Sequence, residues 1–411
     1  MSFFDSRWIE TPRHARTTHG LPRGFRAAGV ACGVKPSGAK DLGLLVSDAT
    51  DTTSAARFTQ SGTPAAPVLL NMERCALHGL RAVVVNSGNA NASTGRKGLD
   101  DAAKMQGAGA VATQVGNERL VAVASTGVIG VPLPMTNITK GIVAASKELR
   151  PDGDEDFAEA IRTTDAFPKT VSLEVALETG TVRLSAEAKG AGMISPGFAT
   201  LLVFVQTDAR LSPETADLLL GVTVKRSFER ISVDGQLSPS DTVILQCSGA
   251  SGVAIEQETP DELRFGETLD AVLRQLALLV VKDGEGARRV GRVVVRGGDA
   301  EAVHRAARAV ANSQLVKTAL YGGDPNWGRI SQAVGMALPG MAPLDLDIAI
   351  EGVQVCAHGA FVPHDADALN RAVQQPEVEY EIGLPGDGAE AELYFSDLGH
   401  EYVTINAEYT T

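Results

Sequence analysis

Aromatic side chains make up only 5% of this 411-residue chain, and its four cysteines stand far apart at positions 32, 75, 247 and 356. Spacing of that kind offers neither the close pairs of a zinc site nor a redox CxxC, so the cysteines are read as reduced thiols. The seven histidines, His14, His19, His78, His304, His358, His364 and His400, also lack metal-ligand spacing, and no metal is expected. GxSxG, HExxH and GxxxxGK(S/T) are missing, which removes the anchors of serine-hydrolase, zinc-protease and phosphate-loop readings. A basic run is missing too. With a formal net charge of −13, a nucleic-acid backbone or an anionic membrane surface would be repelled, so neither is expected as a partner. No apolar stretch approaches the roughly 18 residues of a spanning helix, and residues 1–26 mix arginines with polar residues rather than forming a secretory core. The expected location is the cytoplasm.

What is present is an ordinary globular composition, 44% hydrophobic and 21% charged, on a chain long enough for two lobes. Short β-rich runs alternate with helical spacing, which predicts an α/β fold of mixed sheets. Residues 83–85, 120–124 and 201–205 read as buried strands. Residues 102–115, 267–281 and 300–311 carry helical spacing, and the regions around Ile348, Tyr394 and Val403 look strand-like. The Pro/Gly/Asp-rich stretch 151–159 reads as a surface connection after a first lobe. Residues 107–112 match GxGxxA, but inside a predicted helix, where glycines serve packing rather than a dinucleotide. The 43 glycines cluster where backbone must turn or come close to something, notably 86–95, 127–130, 190–197, 284–286 and 322–328.

Residues 189–205, KGAGMISPGFATLLVFV, run from a Gly/Pro loop into an apolar strand with Thr200 at the junction. A threonine hydroxyl needs a base to become a nucleophile. If the Ala199–Thr200 peptide is broken, the freed α-amine, with a reference pKa of about 8, supplies one. A β-branched residue that merely opens a strand is the alternative, and both readings stay open on these residues alone.

The same stretch resembles the segment K-G-x-G-M-I-x-P-x-x-A-T-(M/L)-L at the self-processing site of the ornithine acetyltransferase (glutamate N-acetyltransferase) family. Residues 23–33, 86–92 (NSGNANA), 124–135 (ASTGVIGVPLPM), 283–287, 324–329 (DPNWGR) and 405–411 (INAEYTT) match further stretches of that family in the same order. The resemblance implies sheets sandwiched between helices and self-cleavage between Ala199 and Thr200. It implies an α chain of residues 1–199 carrying the oxyanion hole and a β chain of residues 200–411 carrying the nucleophile and a substrate-binding tail. Two of each would assemble as an α2β2 heterotetramer.

By the same resemblance Thr200 is the nucleophile, Thr126 and Gly127 form the oxyanion hole, and Thr163, Lys189, Thr200, Glu285, Asn406 and Thr411 bind substrate. The implied reaction is ping-pong. Acetyl passes from N-acetylornithine to Thr200, then to glutamate, giving N-acetylglutamate for arginine biosynthesis. No cofactor is implied, and acetyl-CoA is a candidate second donor, with N-acetylornithine expected to be the better one. Rival readings are a self-cleaving amidase or aminopeptidase with the same nucleophile, and a catalytically silent binding protein. Two departures stand out. The family's T-T-D-T reads TTDA at 163–166, and its D-G-D-T-S-T-N-D-T reads DGQLSPSDT at 234–242.

Overall fold

The computed structural model describes residues 3–195 and 201–408. Leu202–Thr207 is buried at every position, with apolar side chains on both faces, and Thr181–Lys189 is buried from Leu184 onward with alternate residues apolar, as fits two strands at the centre of a six-stranded sheet covered on both sides. The order across it is Ala15–Thr17, Lys169–Ala176, Thr181–Lys189, Leu202–Thr207, Thr242–Cys247 and Thr53–Phe58. Leu202–Thr207 runs antiparallel to Thr181–Lys189 and parallel to Thr242–Cys247.

A second sheet joins Phe25–Val30, Leu42–Ser47, Ala82–Asn89 and Val121–Val128. Its last two strands are parallel, and the helix Gly95–Thr113 makes the crossover that parallel pairing requires. The inner faces of the two sheets meet in one apolar layer that includes Phe25, Leu45, Val83, Phe157, Phe204 and Ile244. Helices Ala66–Arg74, Gly95–Thr113 and Met135–Lys147 cover the outer face of the smaller sheet. Helices Pro213–Arg226 and Pro260–Lys282 cover the outer face of the larger one. The result is helices, sheet, sheet, helices, as expected for sheets sandwiched between helices. A seven-stranded sheet built on Val290–Arg296, Glu377–Gly383 and Glu390–Ser396 has its own core under helices Ala300–Asn312, Gln314–Gly322 and Trp327–Ala337.

The strands expected at 83–85 and 120–124 lie within or at the edge of Ala82–Asn89 and Val121–Val128, and the helices expected at 267–281 and 300–311 lie within Pro260–Lys282 and Ala300–Asn312. The GxGxxA stretch is helical, and Gly109 packs so closely on the sheet that a Cβ there would fall 2.6 Å from Val84 Cγ2.

Two expectations fail. Residues 151–159 are not a loose connection: Asp154–Ile161 is a helix in contact with both sheets, and Phe157, Ala158, Ala160 and Ile161 are fully buried. Asp154, Glu155 and Asp156 fill its first turn, where the helix dipole favours negative charge, so the acidic run marks a helix start. Val403 lies in the helix His400–Glu408, with 67% of its surface exposed, rather than in a strand. Its β-branched sequence favours a strand, but tertiary contacts from Tyr402 and Asn406 decide the local conformation.

Candidate functional site

The cleft lies at one end of the inner strands of the six-stranded sheet. Lys189 ends its strand directly opposite Leu202, and Leu202 stands opposite Thr242 in the next ladder. Thr126 and Gly127 come from the end of Val121–Val128, and Thr163 follows the helix Asp154–Ile161. Glu285 sits on the turn after the helix Pro260–Lys282, whose start is capped by the Thr259 hydroxyl accepting the Glu262 N–H. Asn406 comes from the terminal helix. These six residues line a single cavity of about 230 Å³. The structure therefore brings together Thr126, Gly127, Thr163, Lys189, Glu285 and Asn406, positions up to 280 residues apart in sequence. Ala199, Thr200 and Thr411 lie outside the described residues.

Lys189 is only 2% exposed, and its ammonium donates to Thr163 Oγ1 at 2.7 Å and Thr126 Oγ1 at 3.2 Å. Burial lowers its pKa, Asp165 opposes that, and the nearby Lys169 adds to it. Among the described residues no carboxylate bonds it directly, so an anionic group entering the cleft would meet a desolvated cation. Because Thr126 accepts from Lys189, its own hydroxyl hydrogen remains available to donate. Gly127 has φ +129°, and a Cβ there would sit 2.3 Å from the carbonyl carbon of Gly88. Only glycine fits that backbone.

Glu285 packs its carboxylate over Gly192, where a Cβ would come within 2.7 Å of Oε1. Its N–H donates to the Ala191 carbonyl at 3.1 Å, and its Oε2 accepts from Asn406 Nδ2 at 2.5 Å. The terminal helix is thereby tied into the cleft wall, and Tyr402 adds a bond from its hydroxyl to Asp234 Oδ2 at 3.3 Å.

Beneath the cleft lies a charge cluster that sequence reasoning missed. Lys169 Nζ reaches Asp165 Oδ1 at 2.8 Å and Asp283 Oδ2 at 2.6 Å, with none of the three side chains more than 3% exposed. Burial works against the Asp165 charge, yet Lys169 and Lys189 hold its carboxyl below the usual carboxylate range. Asp165 also accepts the Gly190 N–H at 2.7 Å and the Thr163 N–H at 3.0 Å, so the cluster sets the backbone next to Lys189 and at its partner Thr163. Asp283 accepts the Ala166 N–H at 3.1 Å. Ala166 is itself exposed and points no group into the cavity, so the hydroxyl lost at that position does not open the cleft.

The other departure reaches the cleft. Asp234, Gln236, Ser238, Pro239 and Ser240 all line it, and the fully buried Asp241 Oδ1 accepts the Leu201 N–H at 3.0 Å. In the sequence, Asp234 and Asp241 are only the two retained acids that bracket an altered stretch. Their partners, residues 193, 194 and 201, lie about 40 positions upstream, and no local pattern displays such bonds.

The thiols offer no competing nucleophile. Burial pushes those of Cys32, Cys75 and Cys247 up to about 12, which leaves them protonated near neutrality. Among the described residues the one grouping with metal-ligand distances, Asp345, Asp347 and His358, lies away from the cleft.

Comparison with known proteins gives a consistent result. The sequence profile of the ArgJ family matches residues 26–411. The chain is 44% identical over 399 residues to the arginine biosynthesis bifunctional protein ArgJ of Geobacter sulfurreducens, covering 95% of this chain and 99% of that one. It is 41% identical over 397 residues to the protein of that name from Caldanaerobacter subterraneus subsp. tengcongensis, covering 95% and 98%. Among solved structures, an ornithine acetyltransferase from Mycobacterium tuberculosis, complexed with ornithine, is 39% identical and covers 46% of this chain and 100% of that chain at a TM-score of 0.41.

Proposed function

This chain belongs to the ArgJ family, and from that premise we propose that it is a self-cleaving acyltransferase working through Thr200. It transfers acetyl from N-acetylornithine to glutamate in arginine biosynthesis. The observation that carries the residue-level reading is the convergence of Thr126, Gly127, Thr163, Lys189, Glu285 and Asn406 on one cavity, at the end of the inner strands where Leu201 is anchored.

In the proposed maturation the Thr200 hydroxyl adds to the Ala199 carbonyl, the Ala199–Thr200 C–N bond breaks, and the acyl group moves to oxygen while the amine is freed. Water then hydrolyses the ester, leaving a carboxylate on Ala199 and a free hydroxyl and amine on Thr200. Fragments 1–199 and 200–411 share the central sheet, because Thr181–Lys189 and Leu202–Thr207 are neighbouring strands. They would stay together without a covalent link and assemble as an α2β2 particle. In turnover the freed amine takes the hydroxyl proton as Thr200 attacks the acetyl carbonyl of N-acetylornithine. Thr126 O–H and Gly127 N–H hold the developing oxyanion, a contribution of about 3–4 kcal/mol for a well-placed donor. Ornithine leaves with the proton, and glutamate's amine then attacks the acetyl ester and restores the threonine.

Lys189 suits a substrate carboxylate, and Glu285 suits the polar nitrogen end of an amino acid, with Asn406 beside Glu285 and Thr411 assigned to substrate by the family resemblance alone. Lys189 is the one cation lining the cavity among the described residues, which favours N-acetylornithine over acetyl-CoA, whose phosphates call for further positive charge. No described helix is long and apolar enough to cross a membrane, and we assign the enzyme to the cytoplasm. The test is to give processed enzyme labelled N-acetylornithine or labelled acetyl-CoA with glutamate and to separate the products. N-acetylglutamate formed mainly from N-acetylornithine is the expected result. Free acetate as the main product would replace the transferase with a hydrolase, and equal rates from the two donors would make acetyl-CoA a full substrate.

A further inference from the structure

The segment between the strands Ile231–Ser232 and Thr242–Cys247 grips the chain on both sides of the stretch 196–200. On the upstream side the Ile194 carbonyl accepts the N–H groups of Val233, Asp234 and Gly235 at 2.9, 3.3 and 3.1 Å. Asp234 returns the grip, with Oδ2 accepting the Met193 N–H at 2.6 Å and Oδ1 the Ile194 N–H at 2.9 Å. Met193 is held at φ +59°, a conformation a methionine adopts only when its surroundings impose it. On the downstream side Asp241 Oδ1 accepts the Leu201 N–H at 3.0 Å, and the Leu201 carbonyl accepts the Thr242 N–H at 3.0 Å. Two acidic residues at opposite ends of one short connection thus fix the backbone at 193–194 and at 201.

Resting on the cleavage reading above, we propose that Asp234 and Asp241 are positioning residues for self-cleavage, a two-point clamp that fixes the backbone on both flanks of the cut site, at 193–194 and at 201. An intramolecular attack depends steeply on such placement, since a misplacement of about 1 Å can cost roughly 10²-fold in rate. The clamp also accounts for the altered segment: Gln236, Leu237, Pro239 and Ser240 replace the family's residues while both gripping acids remain. Asp241 is fully buried, and burial pushes its carboxyl well above the usual range against the opposing effect of the Thr59 and Ser238 side chains. Among the described residues its Oδ2 makes no hydrogen bond of ordinary geometry, so asparagine keeps both its shape and the oxygen that accepts from Leu201. Asp234 has no such substitute, because its two oxygens both face N–H donors and an amide nitrogen would confront one of them.

The experiment follows cleavage of the full chain by intact mass over time, for wild type, Asp234→Asn, Asp241→Asn, Asp241→Leu and a control, Asp261→Asn. Asp261 accepts the N–H groups of Glu178 and Thr179 at 2.6 and 3.1 Å, the same chemistry away from the cut site. We expect Asp234→Asn and Asp241→Leu to accumulate precursor, with cleavage slowed by about 10²-fold. Asp241→Asn should cut at a rate near wild type, and Asp261→Asn should cut normally even where its melting temperature falls. Wild-type cleavage rates in both Asp234→Asn and Asp241→Leu would overturn the clamp while leaving the cleavage reading intact. Equal slowing in Asp261→Asn would reduce it to general stability. An uncut wild-type chain would remove the cleavage reading itself and the clamp with it. Asp234 is half-buried in the cleft wall, so its variant decides the matter even if Asp241→Leu fails to fold.

Discussion

On the seven-stranded sheet Arg296 reaches Glu381 at 3.0 Å and Glu390 at 2.8 Å with 55% of its side chain in solvent, whereas under the cleft Lys169 reaches Asp165 and Asp283 with none. Both are a cation between two carboxylates, at similar distances. Their energetics differ because water screens the first and is excluded from the second. The exposed group can be remade by solvent when one member is lost. The buried group cannot, and it also carries the backbone of Gly190 and Thr163 through Asp165. The contrast locates structural charge by burial rather than by bond length, and it places the most costly charges directly behind the residues assigned to substrate.

Breaking the buried cluster should have the largest effect. Lys169→Met leaves two buried aspartates facing each other without the cation that bonds both and is expected to cost about 3–5 kcal/mol, read as a lower denaturation midpoint. Arg296→Ala, the same loss on the exposed side, should cost about 0–1 kcal/mol and leave acetyl transfer unaltered. Equal destabilisation by the two would dissolve the comparison. Between these extremes lies Thr126→Ala, which removes a hydroxyl bonded to Lys189 without removing a charge. It should lower kcat of correctly processed enzyme by about 10²–10³-fold at nearly unchanged stability. Unchanged kcat would leave Thr126 a strand residue whose hydroxyl serves only to accept from Lys189.

The cleft was legible through resemblance to family motifs rather than through strand ends, since the strand expected at 120–124 runs on to Val128 and Thr181–Lys189 was not foreseen. Thr126-Gly127, Lys189, Glu285 and Asn406 stood out because short motifs surround each of them, and the fold carries all of them to one cavity. What the sequence concealed were bonds without a local signature. Asp165 and Lys169 are four residues apart, but Asp283 lies more than a hundred further on, and nothing in the spacing announces a shared buried site. Asp234 and Asp241 could be seen only as acids in an altered loop, since their partners are backbone N–H groups of Met193, Ile194 and Leu201, about 40 positions upstream. The acidic stretch 151–159 misled because an acidic first helical turn and a solvated linker have the same composition. Val403 misled because propensity favours a strand where Glu285 and Asp234 hold a helix in place.

The central claim is that one side chain both cuts the chain and carries the acetyl group, and it is tested most directly by mass and N-terminal sequence of purified protein alongside Thr200→Ala. The account predicts two wild-type species, 1–199 and 200–411, the second beginning at Thr200, and a single uncut, inactive chain for the alanine variant. Thr200→Ser, which keeps a hydroxyl, should still cut. A fragment beginning elsewhere, or wild-type turnover by Thr200→Ala, would contradict it.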